Sequence, residues 1–382
     1  MTPAEKTRWI TAKARELGFD LCGVTRATES AQSEEAARMP EWLDAGYAGE
    51  MEYLHDERRT DPERALAGAR SVIMVALNYN ADAPHSTDAG VFDLPDEMPR
   101  GWISRYAWGD DYHHVIWAKL NELVAAMKAE WSDEEFGVDA RADSGPVMER
   151  VSAKYAGLGW QGKNTCLINQ DMGSWMFLGT VLTTLDLEPT LADGEPPAPD
   201  LCGNCTLCLE ACPTQAFVEP YVLDARKCIS YLTIELRGSI PLELRGKMGN
   251  ALIGCDICQD VCPWNRKAPV TKLAEFQPRR AEVVVADDFD PHRTESLVAP
   301  ELEWIAQLEQ VDFSRIFAGS AVKRAKLRSL VRNACVALGN SRLTAGTKAW
   351  IRVVAVLEKL RASQDELVAE HADWALRKVR KE

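Results

Sequence analysis

The N-terminal half of the chain alternates between helical and strand-like hydrophobic patterns. Apolar residues recur every three or four positions over residues 3–17 and 112–131, which predicts two amphipathic helices. Residues 71–79, SVIMVALNY, form a short continuous apolar run, which predicts a buried strand. Residues 1–190 are therefore expected to fold as an α/β domain.

A glycine-rich octapeptide, GLGWQGKN at 157–164, lies between a predicted helix and two predicted strands. Residues 146–156, PVMERVSAKYA, place a proline at the first helical position, and residues 164–184 have the composition of two strands separated by a turn. Phosphate-binding glycine loops require the opposite order, with a strand before the glycines and a helix after them. The octapeptide is therefore not expected to cradle a nucleotide phosphate, and one of its glycines is expected to cap the helix.

The chain after residue 190 is expected to contain a linker, a cysteine-rich segment and a helical region. Residues 191–200, LADGEPPAPD, have the composition of a linker. Helices are expected beyond Pro269, where residues 332–340 and 363–379 have amphipathic patterns that fit either a HEAT-type repeat or plain amphipathic helices. The predicted domains are residues 1–190, 191–270 and 271–382.

Composition indicates an ordinary globular protein. The chain has 382 residues and 46% hydrophobic content, which is enough for two or three domains. It contains no run of 18 apolar residues, and MTPAEKTRWI at the start has the signature of a helix capped by Thr2 instead of a signal peptide. We therefore expect a soluble, cytoplasmic protein without a membrane segment. No dimerisation feature stands out, so a monomer is expected.

The charge is unevenly distributed along the chain. The formal net charge is −14, which argues against indiscriminate binding of nucleic acid. Residues 320–382, however, carry 14 Lys plus Arg against 6 Asp plus Glu. This excess of positive charge fits a contact with an anionic partner such as tRNA, and it fits equally a solvated basic helix face.

The cysteine spacing is the most specific chemical signal in the sequence. Eleven cysteines are present, and eight of them lie between positions 202 and 262. The first group has the spacing CxxCxxCxxxCP and the second has CxxCxxxCP, with one isolated cysteine between them. In bacterial ferredoxins, three closely spaced thiolates hold one four-iron cluster and the fourth holds its neighbour. The spacing therefore predicts a bacterial ferredoxin-like domain with two 4Fe-4S clusters.

The same pattern divides the eight thiolates into two ligand sets. Leu252 occupies the position where a regular second motif has its first cysteine, so the second cluster lacks one ligand and Cys228 is the nearby candidate. The first set is predicted to be Cys202, Cys205, Cys208 and Cys262. The second set is predicted to be Cys212, Cys228, Cys255 and Cys258.

Two other uses of these cysteines compete with iron–sulfur clusters. Disulfides are rare in a cytosolic protein. Zinc sites use paired CxxC units, but they seldom use three cysteines at positions i, i+3 and i+6 followed by a CP ending. Clusters are therefore favoured over both. The remaining cysteines, Cys22, Cys166 and Cys335, lie in apolar sequence and are predicted to be core thiols.

Three stretches together resemble one enzyme family. They are RYAWGDDYH at 105–113, RADSGPVMERVSAKYAGLGWQGKNTCLINQDMGSWMFLGTVLTT at 141–184, and the cysteine run with its isolated Cys228. Over residues 1–380 the chain resembles the epoxyqueuosine reductase family. The resemblance implies an oxidoreductase that completes queuosine synthesis at the wobble position of tRNA anticodons. It also implies a cobalamin-binding N-terminal domain of the nitroreductase or dehalogenase type, so the whole chain is expected to be an α+β multidomain protein.

The resemblance also assigns roles to individual residues. Asp143 in RADSGP matches the catalytic acid of the family, although by itself an aspartate in such a turn more often caps a helix. Electrons from an unidentified external donor are expected to pass through both clusters and reduce cob(II)alamin to cob(I)alamin, which removes the epoxide oxygen while Asp143 protonates it. The implied cobalamin contacts are Tyr106, Asp143, Arg150, Lys163, Asn164, Leu167, Leu178 and Asp256.

One cobalamin motif is only nearly present. The DxHxxG motif supplies a histidine ligand to cobalt in many cobalamin proteins, but DYHHVI at 111–116 has Ile116 in place of the glycine. No histidine ligand is therefore expected.

Two other functions fit parts of the pattern. A reductive dehalogenase would share the corrinoid and the clusters, but respiratory members usually carry a twin-arginine export signal, and the RR pairs here lie internally at 58–59 and 279–280. An iron–sulfur protein that only transfers electrons would leave residues 1–190 without a task.

Overall fold

The computed structural model describes residues 1–88, 98–192, 195–284 and 292–381, so positions 193–194 of the predicted linker lie outside it. Its N-terminal part combines strands and helices. The strands are β1 (Leu21–Arg26), β2 (Ser71–Asn78), β3 (Trp102–Ile103), β4 (Val138–Arg141), β5 (Trp160–Gln161), β6 (Leu167–Ile168) and β7 (Met176–Thr183). The helices are α1 (Pro3–Glu16), α2 (Ala27–Ala31), α3 (Glu34–Asp44), α4 (Pro62–Ala65), α5 (Tyr112–Glu130) and α6 (Glu149–Tyr155).

Four of these strands form one sheet in the order β1-β2-β7-β4, and every pairing in it is antiparallel. Strand β2 is buried along its whole length, and its alternate residues face two separate apolar clusters. One cluster includes Ile73 and packs against α1 and α5, whereas the other includes Met74 and packs against α6. The expected α/β domain is therefore an antiparallel α+β domain, because a hydrophobic run predicts a strand but not its direction.

The helix ends show how local sequence sets these elements. Thr2 caps α1 in a capping box with Glu5, as the sequence predicts. Asp111 accepts a hydrogen bond from the backbone of His113 and so starts α5 at the predicted position. Helix α6 begins at Glu149, three residues after the predicted proline start. Residues 142–148 are instead a loop, and this loop carries Asp143.

The middle part of the chain contains short elements around the cysteines. The helices are α7 (Leu207–Ala211), α8 (Ile229–Ile234), α9 (Leu242–Arg245) and α10 (Ile257–Asp260), and the strands are β8 (Phe217–Glu219), β9 (Val222–Leu223) and β10 (Ala251–Ile253). Strand β10 pairs in parallel with β3 of the N-terminal part. This pairing holds the loop that follows β10 against residues 104–106.

The C-terminal part begins with a hairpin and continues with helices. Strands β11 (Arg280–Val284) and β12 (His292–Ser296) pair antiparallel, so the expectation of helices only beyond Pro269 is wrong for this segment. The helices are α11 (Leu302–Ala306), α12 (Gln310–Ile316), α13 (Lys326–Asn340), α14 (Lys348–Arg361) and α15 (Glu366–Arg380). Helix α15 packs against both α13 and α14. Among the described residues, no helix combines the length and apolar character needed to cross a membrane.

One buried cation joins α13 to the cysteine-rich part. The guanidinium group of Arg332 is fully buried and donates to the carbonyl oxygens of Leu236 and Gly238 at 2.8 and 2.7 Å, and to that of Leu232 at 2.6 Å. Its neighbour Asn333 donates to the carbonyl oxygen of Leu252 in β10 at 2.8 Å. The C-terminal helices therefore support the backbone around the cysteine loops.

Candidate active site and metal centres

The first predicted ligand set is brought together by the loop before α7 and the end of α10. Burial, together with the neighbouring thiols of Cys202, Cys262 and Cys205, raises the pKa of the Cys208 thiol to about 11. The Lys163 ammonium group donates to the carbonyl oxygen of Cys205 at 3.0 Å. The four thiols of this set are therefore close enough to act on one another.

The second predicted set is brought together around α8 and the loop after β10. Burial raises the pKa of the Cys255 thiol, and Cys228 and Cys212 add to the effect. The Cys258 thiol has a raised pKa because it contacts the Cys166 thiol, because it is buried, and because Cys255 and Cys228 lie nearby. The backbone N–H of Ala216 donates to the Cys212 sulfur at 3.3 Å. Cys228, distant from both motifs in sequence, thus lies among the thiols of this set.

The donor chemistry of both sets fits iron–sulfur clusters. All the described cysteines are free. Thiolates crowded in a buried site repel one another unless cationic iron compensates their charge, and backbone N–H groups further stabilise bound sulfur. Within the described ranges, no three His, Cys, Asp or Glu side chains converge on a position for one metal ion. A cluster with iron at four corners instead requires thiols that are spread apart.

The loop that carries Cys255 lies directly against Tyr106. Gly254 has a φ of +69°, and a Cβ atom there would lie 2.5 Å from Cβ of Ser104 and 3.0 Å from Cε1 of Tyr106. Only glycine permits both this backbone conformation and this close approach. The Tyr106 ring is therefore in contact with the backbone next to the second thiol set.

Asp256 fixes the same contact from the other side. Its buried carboxylate accepts hydrogen bonds from Nε1 of Trp102 and the backbone N–H of Arg105, both at 2.9 Å, and from the hydroxyl of Ser104. Burial and the nearby charge of Asp260 raise the pKa of Asp256 to about 6. The side chain predicted to touch cobalamin is therefore engaged by three protein donors, and it positions residues 102–106.

Asp143 lies in the loop between β4 and α6, with its side chain 63% exposed. Its φ of +51° is in the left-handed region. The hydroxyl of Tyr112 donates to Oδ2 of Asp143 at 2.5 Å, and the Asp143 backbone N–H donates to Oε1 of Glu149 at 2.9 Å. Nε2 of His113 lies 3.9 Å from the same Oδ2 atom, while Nδ1 of His113 contacts Asp111 at 2.6 Å.

The groups around Asp143 hold protons tightly. Burial and the negative charge of Asp143 raise the pKa of Glu149 to about 8, so this carboxyl group is largely protonated at neutral pH. The pKa of Tyr112 is also raised, by burial and by Asp143. Asp143 therefore faces two neutral hydrogen-bonding partners and an orientable imidazole.

The sheet carries an aromatic stack on one face and a half-exposed apolar surface on the other. The ring of Tyr112 stacks on Phe177 with centroids 4.2 Å apart and meets the edge of Tyr106 at 6.3 Å. On the opposite face of β7, Met176 and Leu178 are only half-buried, whereas the rest of the strand is buried. Leu167 is buried beneath them in the same apolar cluster. Half-exposed apolar side chains on one strand face fit a flat apolar ligand such as a corrin ring.

The predicted polar contacts lie at the edges of this surface. Arg150 is exposed, and its Nη1 donates to the carbonyl oxygen of Thr165 at 2.7 Å. Lys163 contacts the first cysteine loop, and Asn164 is buried with Nδ2 donating to the carbonyl oxygen of Cys258 at 3.2 Å. The structure thus places Lys163 and Asn164 beside the thiol sets. Their contact with cobalamin stays a prediction.

Sequence reasoning missed several residues of this site. Tyr112 and His113 lie in the quoted RYAWGDDYH stretch, but the sequence does not show that these first two residues of a capped helix lie beside the Asp143 loop. Glu149 follows that loop at the start of α6. Cys166, which was predicted to be a core thiol, lies beside the Cys258 thiol, and this neighbour lowers its pKa. A cysteine directly after the GLGWQGKN loop was the available signal.

Two family models match the chain. The model described as "Epoxyqueuosine reductase QueG, DUF1730" matches residues 59–144, which include the Tyr106, Tyr112 and Asp143 segments. The model of a 4Fe-4S double cluster binding domain matches residues 201–265, which include all eight cysteines of the two sets. The cysteine-rich part is therefore a 4Fe-4S cluster-binding domain.

Curated proteins and solved structures agree with these matches. The chain is 40% identical to the epoxyqueuosine reductase of Pseudomonas aeruginosa over 98% of its own length and 95% of that protein. It is 43% identical to that of Gloeobacter violaceus over 87% and 95% of the two chains. A solved epoxyqueuosine reductase with an epoxyqueuosine-modified tRNA-Tyr stem loop matches with a TM-score of 0.81 and 29% identity, over 99% of this chain and 91% of that one.

A further solved structure bears on the Asp143 loop. It is the Bacillus subtilis epoxyqueuosine reductase with its catalytic aspartate loop swung out of the active site. It matches with a TM-score of 0.75 and 27% identity, over 99% of this chain and 100% of that one. Full-length identity, both family models and the shared architecture agree, and this chain belongs to the epoxyqueuosine reductase family.

Proposed function

We propose that this chain reduces epoxyqueuosine to queuosine at the wobble position of tRNA. The observation that carries the proposal is the position of Asp143, held by Tyr112, whose ring meets that of Tyr106 next to the second thiol set. A proton donor and an electron source are thus arranged around one cleft. The relative solved with an epoxyqueuosine-modified stem loop gives the substrate class.

The reaction consumes two electrons and two protons, and the epoxide oxygen leaves as water. Cys202, Cys205, Cys208 and Cys262 would hold one 4Fe-4S cluster, and Cys212, Cys228, Cys255 and Cys258 would hold the other. These clusters accept single electrons from an external donor and pass them on. When bound, cobalamin supplies a strongly reducing cobalt centre next to the substrate.

The chain's own residues would bind the cobalamin, orient the substrate and protonate the departing oxygen. Met176 and Leu178 provide an apolar wall for the corrin ring, and Arg150 lies where it can reach an amide or phosphate at its edge. Tyr106 closes the side nearest the second cluster. With the corrin held by these residues, Cys255 and Cys258 would lie on its Tyr106 side and Asp143 would be available to the substrate.

Asp143 delivers a proton to the departing oxygen. Its Oδ2 atom accepts from the Tyr112 hydroxyl, which sets the direction of the carboxyl group. The exposed loop with its left-handed backbone at Asp143 can change conformation at low cost, in line with the displaced catalytic loop of the Bacillus subtilis relative. Glu149, protonated at neutral pH, keeps a second negative charge away from Asp143.

The C-terminal helices are the inferred tRNA-binding region. Helix α15 packs against α13 and α14, as a HEAT-like region would require, and residues 320–382 carry 14 Lys plus Arg against 6 Asp plus Glu in a chain that is acidic as a whole. The protein is inferred to act as a monomer in the cytoplasm.

Mass spectrometry of tRNA nucleosides tests the proposal. Protein reconstituted with iron, sulfide and cobalamin is incubated with epoxyqueuosine-containing tRNA and a strong reductant under anaerobic conditions. Queuosine should form in amounts equal to the epoxyqueuosine lost, and omission of cobalamin should prevent it. Unchanged epoxyqueuosine with fully loaded protein, or debromination of a halogenated phenol instead, would overturn the assignment.

A further inference from the structure

Tyr53 is an unusually exposed aromatic residue flanked by cations. Its side chain, in the single helical turn Glu52–His55, is 46% exposed. The guanidinium carbon of Arg59 lies 5.3 Å from the ring centroid, and that of Arg324 lies 5.7 Å from it. Its hydroxyl donates to the Met51 sulfur at 3.3 Å, and nearly half of the residue stays open to solvent beside the two cations.

Three distant parts of the chain fix this arrangement. Nε of Arg59 donates to the backbone carbonyl of Tyr53 at 2.9 Å. Arg324 donates through Nε and Nη2 to the carboxylate of Glu235, both at 3.0 Å. Arg237 in turn donates to the carbonyl oxygens of Arg324 and Ala325 at 3.0 and 2.9 Å. The ring and the two cations are therefore held in place before any ligand binds.

Both cations keep hydrogen-bonding capacity for a ligand. In the part of the chain that the structure describes, the terminal nitrogens of Arg59 donate to no acceptor, and neither does Nη1 of Arg324. Planar guanidinium groups with free N–H donors suit phosphate oxygens.

The group lies at the edge of the Asp143 site. The segment Ala321–Ala325, which carries Arg324, packs against the segment Arg105–Ala107. The Tyr106 ring of that second segment meets the ring of Tyr112, which donates to Asp143. The carboxylate of Asp143 also adds to the raised pKa of Tyr53, after burial and Glu235. Asp143 likewise adds to the raised pKa of Arg324, after the hydrogen bond with Glu235. The Tyr53 ring and its two cations therefore border the residues that surround Asp143.

We propose that Tyr53 stacks against an unpaired base of the anticodon loop next to the modified nucleotide, while Arg59 and Arg324 contact the adjoining phosphates. This inference rests on the proposed function and names a binding subsite for its tRNA substrate. Single-stranded RNA is recognised chiefly by stacking on aromatic and guanidinium planes and by cationic contacts to its backbone. A chain with a net charge of −14 needs such a local positive site to hold an anionic loop over its active centre.

Fluorescence of a modified stem loop tests the stacking directly. A synthetic anticodon stem loop with 2-aminopurine beside the wobble position is titrated with the reconstituted holoenzyme. Its fluorescence intensity reports stacking, and its anisotropy gives the affinity. Wild-type protein should quench the fluorophore. Tyr53→Ala should abolish the quench and raise Kd about 10-fold, which is the size expected for loss of one stacked base. Tyr53→Phe should retain both properties.

Matched variants separate stacking from charge and from folding. Arg59→Gln should raise Kd and reduce its salt dependence, while the fluorescence quench persists. Arg8→Gln, which replaces an exposed arginine on α1 instead, should change neither the Kd nor its salt dependence. Iron and cobalamin content of each variant should equal that of wild type. If Tyr53→Ala loses iron, Tyr53→Leu, which keeps apolar bulk without an aromatic face, takes its place.

The outcomes distinguish this inference from the proposed function. In turnover assays, Tyr53→Ala should raise KM for epoxyqueuosine tRNA and leave kcat within about twofold of wild type. Wild-type conversion with an unchanged Kd and quench in Tyr53→Ala would overturn the subsite and leave the function standing. Reduced cobalamin affinity in that variant would also overturn it, because the ring would then contact the corrin. Absence of conversion by wild type would instead contradict the proposed function.

Discussion

Replacement of Asp256 tests how the second cluster is coupled to the cleft. This buried carboxylate accepts hydrogen bonds from Trp102, Ser104 and the backbone of Arg105, and it stands between two proposed cluster ligands. Asp256→Asn keeps one side-chain oxygen, which can still accept from the Trp102 indole and the Arg105 backbone N–H. The Ser104 hydroxyl can rotate and accept from the new amide instead. Asp256→Ala removes every acceptor.

The comparison of the two neutral variants isolates these hydrogen bonds. Two buried donors, from Trp102 and Arg105, lose their partner in the alanine variant but not in the asparagine variant. Each buried unsatisfied donor destabilises by about 1–3 kcal/mol, so the two variants should differ by about 2–6 kcal/mol. That is a large fraction of the roughly 5–15 kcal/mol that stabilises a typical domain. Because both variants lack the charge, the charge of Asp256 does not enter the difference.

Iron content, unfolding and turnover measure the effect. Asp256→Ala should unfold at lower urea concentration, lose iron toward half the wild-type amount and fail to turn over, because residues 102–106 no longer hold Tyr106 against the Cys255 loop. Asp256→Asn should keep both clusters. Equal unfolding midpoints for the two variants, or a full iron complement in Asp256→Ala, would refute the reasoning.

Three further variants probe the proton donor, the isolated ligand and a buried histidine. Asp143→Asn should retain iron and cobalamin yet lower kcat at least about 100-fold in the tRNA nucleoside assay, since general acids contribute on this scale; substantial turnover would contradict its role. Cys228→Ala should reduce iron per chain by about half and remove the electron paramagnetic resonance signal of one reduced cluster, and a full complement of iron would exclude it as a ligand. His371 accepts the Ile240 N–H at Nε2 and donates from Nδ1 to the Leu367 carbonyl, and burial lowers its pKa to about 4. The folded state therefore favours the neutral imidazole. The contribution of His371 to the free energy of unfolding is nearly complete above pH 6.5, and it falls by about 2 kcal/mol when the pH is lowered to 5. Urea unfolding of His371→Gln should show a weaker loss between pH 8 and pH 5 than wild type, and parallel pH profiles would contradict this.

Local sequence predicted the elements of the fold that depend on neighbouring residues. The Thr2 cap, the apolar face of α5 and the buried run in β2 each arise within one helix or strand, so their periodicity appears in the sequence. The antiparallel direction of the sheet and the β11–β12 hairpin were not predicted. Strand direction depends on long connections, and the hairpin strands are too short for a distinct period.

The candidate site divides in the same way. Asp143 was predicted from its resemblance to a family motif. Its partner Tyr112 lies 31 residues away in sequence, at the start of α5, so no local pattern joins the two. Tyr53, Arg59 and Arg324 meet across more than 260 residues of chain, so no local pattern marks them as one surface. The three donors to the Asp256 carboxylate come from residues about 150 positions away, so the sequence did not mark them, and the contact of Asp256 with the corrin stays a prediction.

The sequence by itself determined the cluster chemistry of this protein. Loops of two or three residues between cysteines can wrap only a few ligand geometries, so the spacing of seven cysteines predicts 4Fe-4S clusters without knowledge of the rest of the chain. Only folding brings the eighth, Cys228, among the thiols of the second set. The tertiary structure alone decided which side chains surround the cleft. Asp143 lies in the loop before α6, its partner Tyr112 begins α5, and Tyr106 lies against the loop after β10. Their distances follow from strand register and long-range packing, which no local spacing encodes.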